Sequence, residues 1–164
     1  MAPNQQLQFL QDKIMEIKTA ILFNLSDSVL KFPTTIVSTV KTDDFGYVWF
    51  FVKKPKQDIR EFETEFPVRL DYFKKGKECF LQIMGKAWVI SDPEELTSFI
   101  SLNEDVAGEI SEDMVLVKVK MMKADYQETP TRNSNSWWAN TFGYIFTWFR
   151  SSNTYRPNTY FPAS

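Results

Sequence analysis

The chain has 164 residues, of which 43% are hydrophobic and 24% charged, with a formal net charge of −2. That length suits one domain with a substantial core, and that composition is the ordinary one of a globular chain. The slightly acidic balance excludes nucleic acid as an expected partner, because counterion release at a phosphate backbone requires a basic face.

Leu7, Leu10, Ile14 and Ile17 recur at i, i+3, i+7 and i+10, which predicts an amphipathic helix lying over an open end or side of a sheet. Ala20 to Leu25 reads as a first strand, and Ser26-Asp27-Ser28 as a turn. Pro33 opens a second strand, Thr34 to Val40, dense in β-branched residues. The loop from Thr42 to Gly46 ends in glycine and leads to a third strand, Tyr47 to Val52, so the two strands are expected to pair antiparallel. Tyr47 to Val52 is apolar on both faces and calls for cover on both, within a closed barrel or against a second subunit.

Lys53, Lys54, Pro55 and Lys56 then form a basic corner ahead of a short amphipathic helix with Ile59 and Phe62 on one side. A helix start presents unpaired N–H groups and a positive dipole end, where acidic side chains are comfortable and lysines are not. A phosphate seated between the lysines and those N–H groups would reconcile them; a plain charged surface loop is the bland alternative.

Strands are expected over Pro67 to Phe73 and Phe80 to Ile90, joined by the charged turn at 74–77. From Cys79 the alternation is clean: Cys79, Leu81, Ile83, Gly85, Ala87 and Val89 face one way, and Phe80, Gln82, Met84, Lys86, Trp88 and Ile90 the other. Gly85 within a strand marks a bulge or a close backbone approach. Asp92-Pro93-Glu94-Glu95 is a helix start with Asp as N-cap and Pro at the first position, and its helix is expected to end near Leu102. Met114 to Met121 reads as a half-buried strand, with Val115, Val117, Val119 and Met121 inward and Leu116, Lys118 and Lys120 outward.

The rest divides into a polar loop from Gln127 to Ser136, an aromatic segment over 137–149, and an irregular tail over 151–164. Trp138, Phe142, Ile145 and Phe149 share helical spacing, so the aromatic segment is expected to be a helix packed on the barrel or at a dimer interface. The domain reading is accordingly 1–126 for the barrel and 127–164 for the helix and tail. No basic flank precedes an apolar run at the N-terminus, and no stretch reaches the ~18 apolar residues of a membrane span. A cytoplasmic protein with no membrane partner is the expectation.

With no histidine and the single Cys79, the chain has neither a disulfide framework nor an imidazole base, and no metal site is expected. Any redox chemistry would belong to a cofactor.

The order of these elements resembles the pyridoxamine 5'-phosphate oxidase-like, FMN-binding split-barrel superfamily, in its general-stress-protein branch. The strongest parts of the likeness are the Trp49-Phe50-Phe51 strand leading to Lys56, and Met84-Gly85-Lys86-Ala87-Trp88-Val89 ahead of the Asp92 cap. The resemblance implies a mainly β fold, an antiparallel split β-barrel with flanking helices, acting as a homodimer with FMN in two grooves at the subunit interface. It implies isoalloxazine contacts from Thr35, Ile36 and Val37 and from Phe51 and Val52. It implies that Lys56, in the basic corner of Lys53, Lys54 and Lys56 read above as a phosphate site, reaches the phosphate, and it places Gln82 on the strand flanking the flavin. Thr34 and Thr35 stand where many relatives carry Arg, and Val52 where many carry Thr.

The implied function is FMN binding in a stress-linked, flavin-dependent oxidoreductase. Synthesis of pyridoxal phosphate is not implied, since that activity uses a C-terminal arginine and histidine pattern and this chain has no histidine. The alternatives are a flavin-binding module without turnover and a cofactor-free structural dimer.

Overall fold

Strand alternation builds a closed barrel. The computed structural model describes residues 3–74, 76, 79–108, 110–128 and, as backbone, 142–147. Its elements are α1 (Pro3–Ile17), β1 (Thr19–Asn24), β2 (Thr35–Thr42), β3 (Tyr47–Lys53), β4 (Glu65–Lys74), β5 (Cys79–Ile90), α2 (Pro93–Leu102), β6 (Met114–Glu128) and β7 (Phe142–Thr147). The sheet order is β3-β2-β1-β4-β5-β6-β7, and β3 also pairs with β6, so the first six strands close on themselves. Every pairing is antiparallel. This is the split barrel expected from the sequence, and closure removes the free edges of β3 and β6 where they meet.

Inward positions follow the two-residue period: Val48, Phe50 and Val52 on β3, Leu70 and Tyr72 on β4, and Leu81 and Ile83 on β5 are all buried. Two groups from outside the strands complete the core. Leu10 and Ile14 of α1 are fully buried in the barrel core, and α1 is tied to the β2–β3 hairpin by the Gln11 side-chain amide, which donates to the Asp43 carbonyl. Elsewhere Phe32, from the loop after β1, packs on Phe62 and Phe66 with ring centroids 5.2 and 5.7 Å away.

Gly85 acts as the sequence suggests. The β5–β6 register shifts between Met84 and Gly85, so Met122 is an extra residue on β6, and a Cβ at Gly85 would collide with the Lys120 carbonyl oxygen. That bulge keeps Ala124 and Tyr126 facing inward, and β6 therefore continues well past Met121, through the expected boundary at 126, to Glu128.

Three expectations are corrected. The outer face of β3 needs no second subunit: α2 covers it, with Phe99 stacked on Trp49 at 5.1 Å and edge-on to Phe51 at 6.2 Å. The same helix buries Ile90 and Leu116, which face each other across β5 and β6 and belong to the outward parity. The short helix after the lysine corner is one 3-10 turn, Ile59–Glu61, with Phe62 as its C-cap. The third correction concerns the aromatic segment: Phe142–Thr147 is not helical but strand β7, paired with β6 from Lys123 to Glu128. The remainder of that segment, including Trp138 and Phe149, the loop residues 129–136, the tail 151–164 and parts of the turn at 74–77 lie outside the described residues. Among the described residues no helix is long and apolar enough to cross a membrane.

Candidate functional site

Two clefts adjoin on the outside of the barrel, and Met114, the first residue of β6, lines both. The larger, about 1040 Å³, runs along β2 from Ile36 to Val40, with Phe51 of β3 and the chain after α2 as further walls. Its lining is mixed: the period of β2 turns Ile36 outward, where it is 72% exposed, while Val37 and Thr39 enter the core, and Ser38, Asn103, Glu104 and Asp105 add polar surface. The smaller cleft, about 710 Å³, lies beside the lysine corner and includes Lys54, Lys56, Asp58 and Arg60.

Charge differs between the two. In the smaller cleft Asp58 is already engaged: it caps the 3-10 turn by accepting from the Arg60 backbone N–H at 3.0 Å, and pairs with the Arg60 guanidinium at 2.8 Å. That side-chain hydrogen bond, first among its causes, holds the Asp58 carboxyl below the usual carboxylate range. The turn's free N–H groups therefore meet a carboxylate of their own chain, and the helix-terminus part of the anion argument does not apply here. What remains is Lys54 and Lys56, neither of which has an ion-pair partner among the described residues. The larger cleft has Lys18, Glu104 and Asp105 among its lining residues.

The residues singled out in the sequence distribute unevenly over this surface. Ile36, Val37 and Phe51 line the larger cleft, and Lys54 and Lys56 the smaller. Thr35 begins β2 beside Ile36. Val52 points into the barrel and is 4% exposed. Lys53 is exposed, opposite Met114 in the β3–β6 pair, at the junction of the clefts but in the wall of neither.

Gln82 is elsewhere. Its amide donates to Asp71 at 3.1 Å, and Asp71 also pairs with Arg69, whose guanidinium lies 4.1 Å over the Phe23 ring. Gln82 precedes Ile90, a wall of the smaller cleft, by eight positions on β5, or about 26 Å along an extended strand.

Sequence reasoning passed over Lys18, Met114, Glu104 and Asp105. Only Lys18 left a usable signal, as the residue that ends the helical stripe at Ile17. The Asp58 cap was also legible, as Asp followed three residues later by Glu61.

Comparison with known proteins agrees with this architecture. A family model described as "Pyridoxamine 5'-phosphate oxidase like" matches residues 5–141. A comparison with curated protein sequences finds no match. Among solved structures, the chain is similar to the general stress FMN/FAD binding protein from Xanthomonas citri, at 20% identity and a TM-score of 0.58, covering 80% of this chain and 93% of that one. It is similar to a protein from Clostridium acetobutylicum related to general stress protein 26 of Bacillus subtilis, at 9% identity and a TM-score of 0.61, covering 89% and 96%. A pyridoxamine 5'-phosphate oxidase-related, FMN binding protein from Nostoc punctiforme aligns at 9% identity and a TM-score of 0.50, covering 78% and 85%. The structural likenesses establish the shared barrel; the family match over most of the chain establishes that it belongs to the pyridoxamine 5'-phosphate oxidase-like family.

Proposed function

We propose that the chain binds FMN across the two clefts and acts as a flavin-dependent oxidoreductase, linked to stress response and located in the cytoplasm. The observation that carries the reading is the meeting at Met114 of a groove walled by Ile36, Val37 and Phe51 among polar groups with a cleft holding two lysines without ion-pair partners among the described residues. A ligand with a planar heterocycle at one end and a phosphate at the other suits that combination, and the donor set fits: aliphatic and aromatic walls at Ile36 and Phe51, ammonium groups at Lys54 and Lys56. Two of the structural relatives are described as binding FMN or FMN/FAD, which supports the same choice of cofactor.

In this reading Thr35, Ile36, Val37, Phe51 and Val52 form or brace the ring site, and Lys53, Lys54 and Lys56 hold the phosphate. FMN when bound supplies two-electron chemistry that no side chain of this histidine-free protein offers. The chain's own task is to orient the ring and exclude water from it. Gln82, remote from the clefts of its own chain, serves the groove of a second copy in a homodimer. Residues 1–126 form the cofactor-binding unit; of those that follow, Gln127 and Glu128 complete β6 and Phe142–Thr147 adds β7 to the same sheet.

The visible spectrum of the purified protein, before and after FMN addition and dialysis, tests the proposal. Retained flavin absorbance near one FMN per chain is expected; a protein that stays colourless refutes it. Reduction of the bound flavin by a nicotinamide donor, followed by reoxidation, distinguishes an oxidoreductase from a module that only holds the cofactor.

A further inference from the structure

We infer that Lys18 is the cation that meets the carbonyl-bearing edge of the ring in the larger cleft. The inference rests on the flavin reading above and adds a residue to it.

Lys18 is the one non-glycine residue with positive φ among the described residues, at +62°. It directly follows α1, and its N–H donates to the Ile14 carbonyl at 2.7 Å, closing the helix. Its own carbonyl accepts from the Thr39 N–H at 2.8 Å, docking the helix end on β2. This is the left-handed position after a helix C-terminus, where glycine, and less often asparagine, avoids the clash that an L side chain's Cβ makes with its own carbonyl. A lysine there is strained relative to glycine, so the backbone geometry does not explain the side chain.

The cleft does. Lys18 lines it together with Ile36, Val37 and Phe51, the walls assigned to the ring. Its ammonium forms no ion pair among the described residues, although Glu104 and Asp105 line the same cleft. The pyrimidine end of a flavin ring carries two carbonyl oxygens and gains negative charge on reduction. A cation beside it stabilises the reduced form more than the oxidised form. Held by two backbone hydrogen bonds, Lys18 presents its charge from a fixed point on the rim.

The test compares wild type with Lys18→Gly and Lys18→Met, using FMN and riboflavin as probes. Lys18→Gly removes the charge and the strain; Lys18→Met removes the charge and keeps the strain. Both variants are expected to lose about tenfold in affinity for FMN and for riboflavin alike, since the contact is to the ring both share. The midpoint potential of bound FMN should fall in both. The melting temperature of the flavin-free protein should stay level or rise by about 3 °C in Lys18→Gly alone.

Unchanged affinity in both variants, an unchanged potential, or a loss confined to FMN would each overturn the inference, the last by placing Lys18 at the phosphate end. A wild type that takes up no flavin overturns the flavin reading and this one together; a wild type that binds while both variants bind equally well overturns this one alone.

Discussion

The hydroxyls of Thr39 on β2 and Tyr72 on β4 lie 2.7 Å apart inside the barrel, joining two strands that β1 keeps from pairing directly. Tyr72 is fully buried and Thr39 is 3% exposed, so neither has water as an alternative partner. Tyr72→Phe leaves the Thr39 hydroxyl buried and unsatisfied and should cost about 1–3 kcal/mol in a urea titration. Adding Thr39→Val to Tyr72→Phe should cost less than the two single changes summed, because the second removes the orphaned group; strict additivity would mean the bond is not coupled.

The same tyrosine predicts an alkaline limit. Burial pushes its hydroxyl well above the ordinary tyrosine range, and the Thr39 hydrogen bond offsets only part of that. The folded state thus holds the proton more tightly than the unfolded chain does. The resulting stability is complete below about pH 10 and is lost above it, by about 1.4 kcal/mol per pH unit. Denaturation midpoints measured at about pH 9 and pH 11 should fall less for Tyr72→Phe than for wild type; equal falls would remove Tyr72 from the account.

The phosphate clamp is testable by ligand choice. Lys56→Ala should weaken FMN binding by about 1.5–3 kcal/mol, roughly ten- to a hundredfold, and leave riboflavin binding unaltered. Equal losses for the two ligands would show that the lysine does not hold the phosphate.

Assembly has its own test. Ile21 and Ile36 face each other in register on the outer side of β1 and β2, 40% and 72% exposed, beside the larger cleft. A homodimer would cover such a pair, and on the proposed assembly light scattering at micromolar concentration should give twice the mass of one chain. Ile36→Lys should shift the mass towards the monomer. A wild-type monomer would remove the interface groove and the role assigned to Gln82.

Gly85→Ala should destabilise the barrel by about 1–3 kcal/mol, because the new methyl group meets a backbone carbonyl of β6 that cannot move without breaking the ladder. Thermal denaturation should show a fall of several degrees.

Strand parity was legible because it is local: the two-residue period of β5 and the Asp92-Pro93 start of α2 each need only neighbouring residues to be read. What covers an outward residue is not local. Ile90 and Leu116 have the parity of surface positions, and only the path of α2 across them makes them core. Phe142 and Ile145 fit a helical period and equally suit an extended strand. The choice between them depended on the edge of β6 that remains after β3 ends, a partner outside the segment itself. The lysine corner was legible in the residues and the ring contacts followed from family resemblance, whereas the division of the site into a groove along β2 and a lysine cleft meeting at Met114 required the folded chain.

β6 has two successive neighbours on one side. Met114 to Lys120 pairs with β3, and Lys123 to Glu128 pairs with β7. Removing everything after Glu128 would leave six residues of β6 backbone donors and acceptors open along one flank, next to the bulge at Met122. An open flank of that kind is a template for another chain. β7 covers that flank in the folded chain. A shortened protein would fail by accumulating ordered, strand-paired aggregates from molecules whose barrels are still intact, rather than by unfolding.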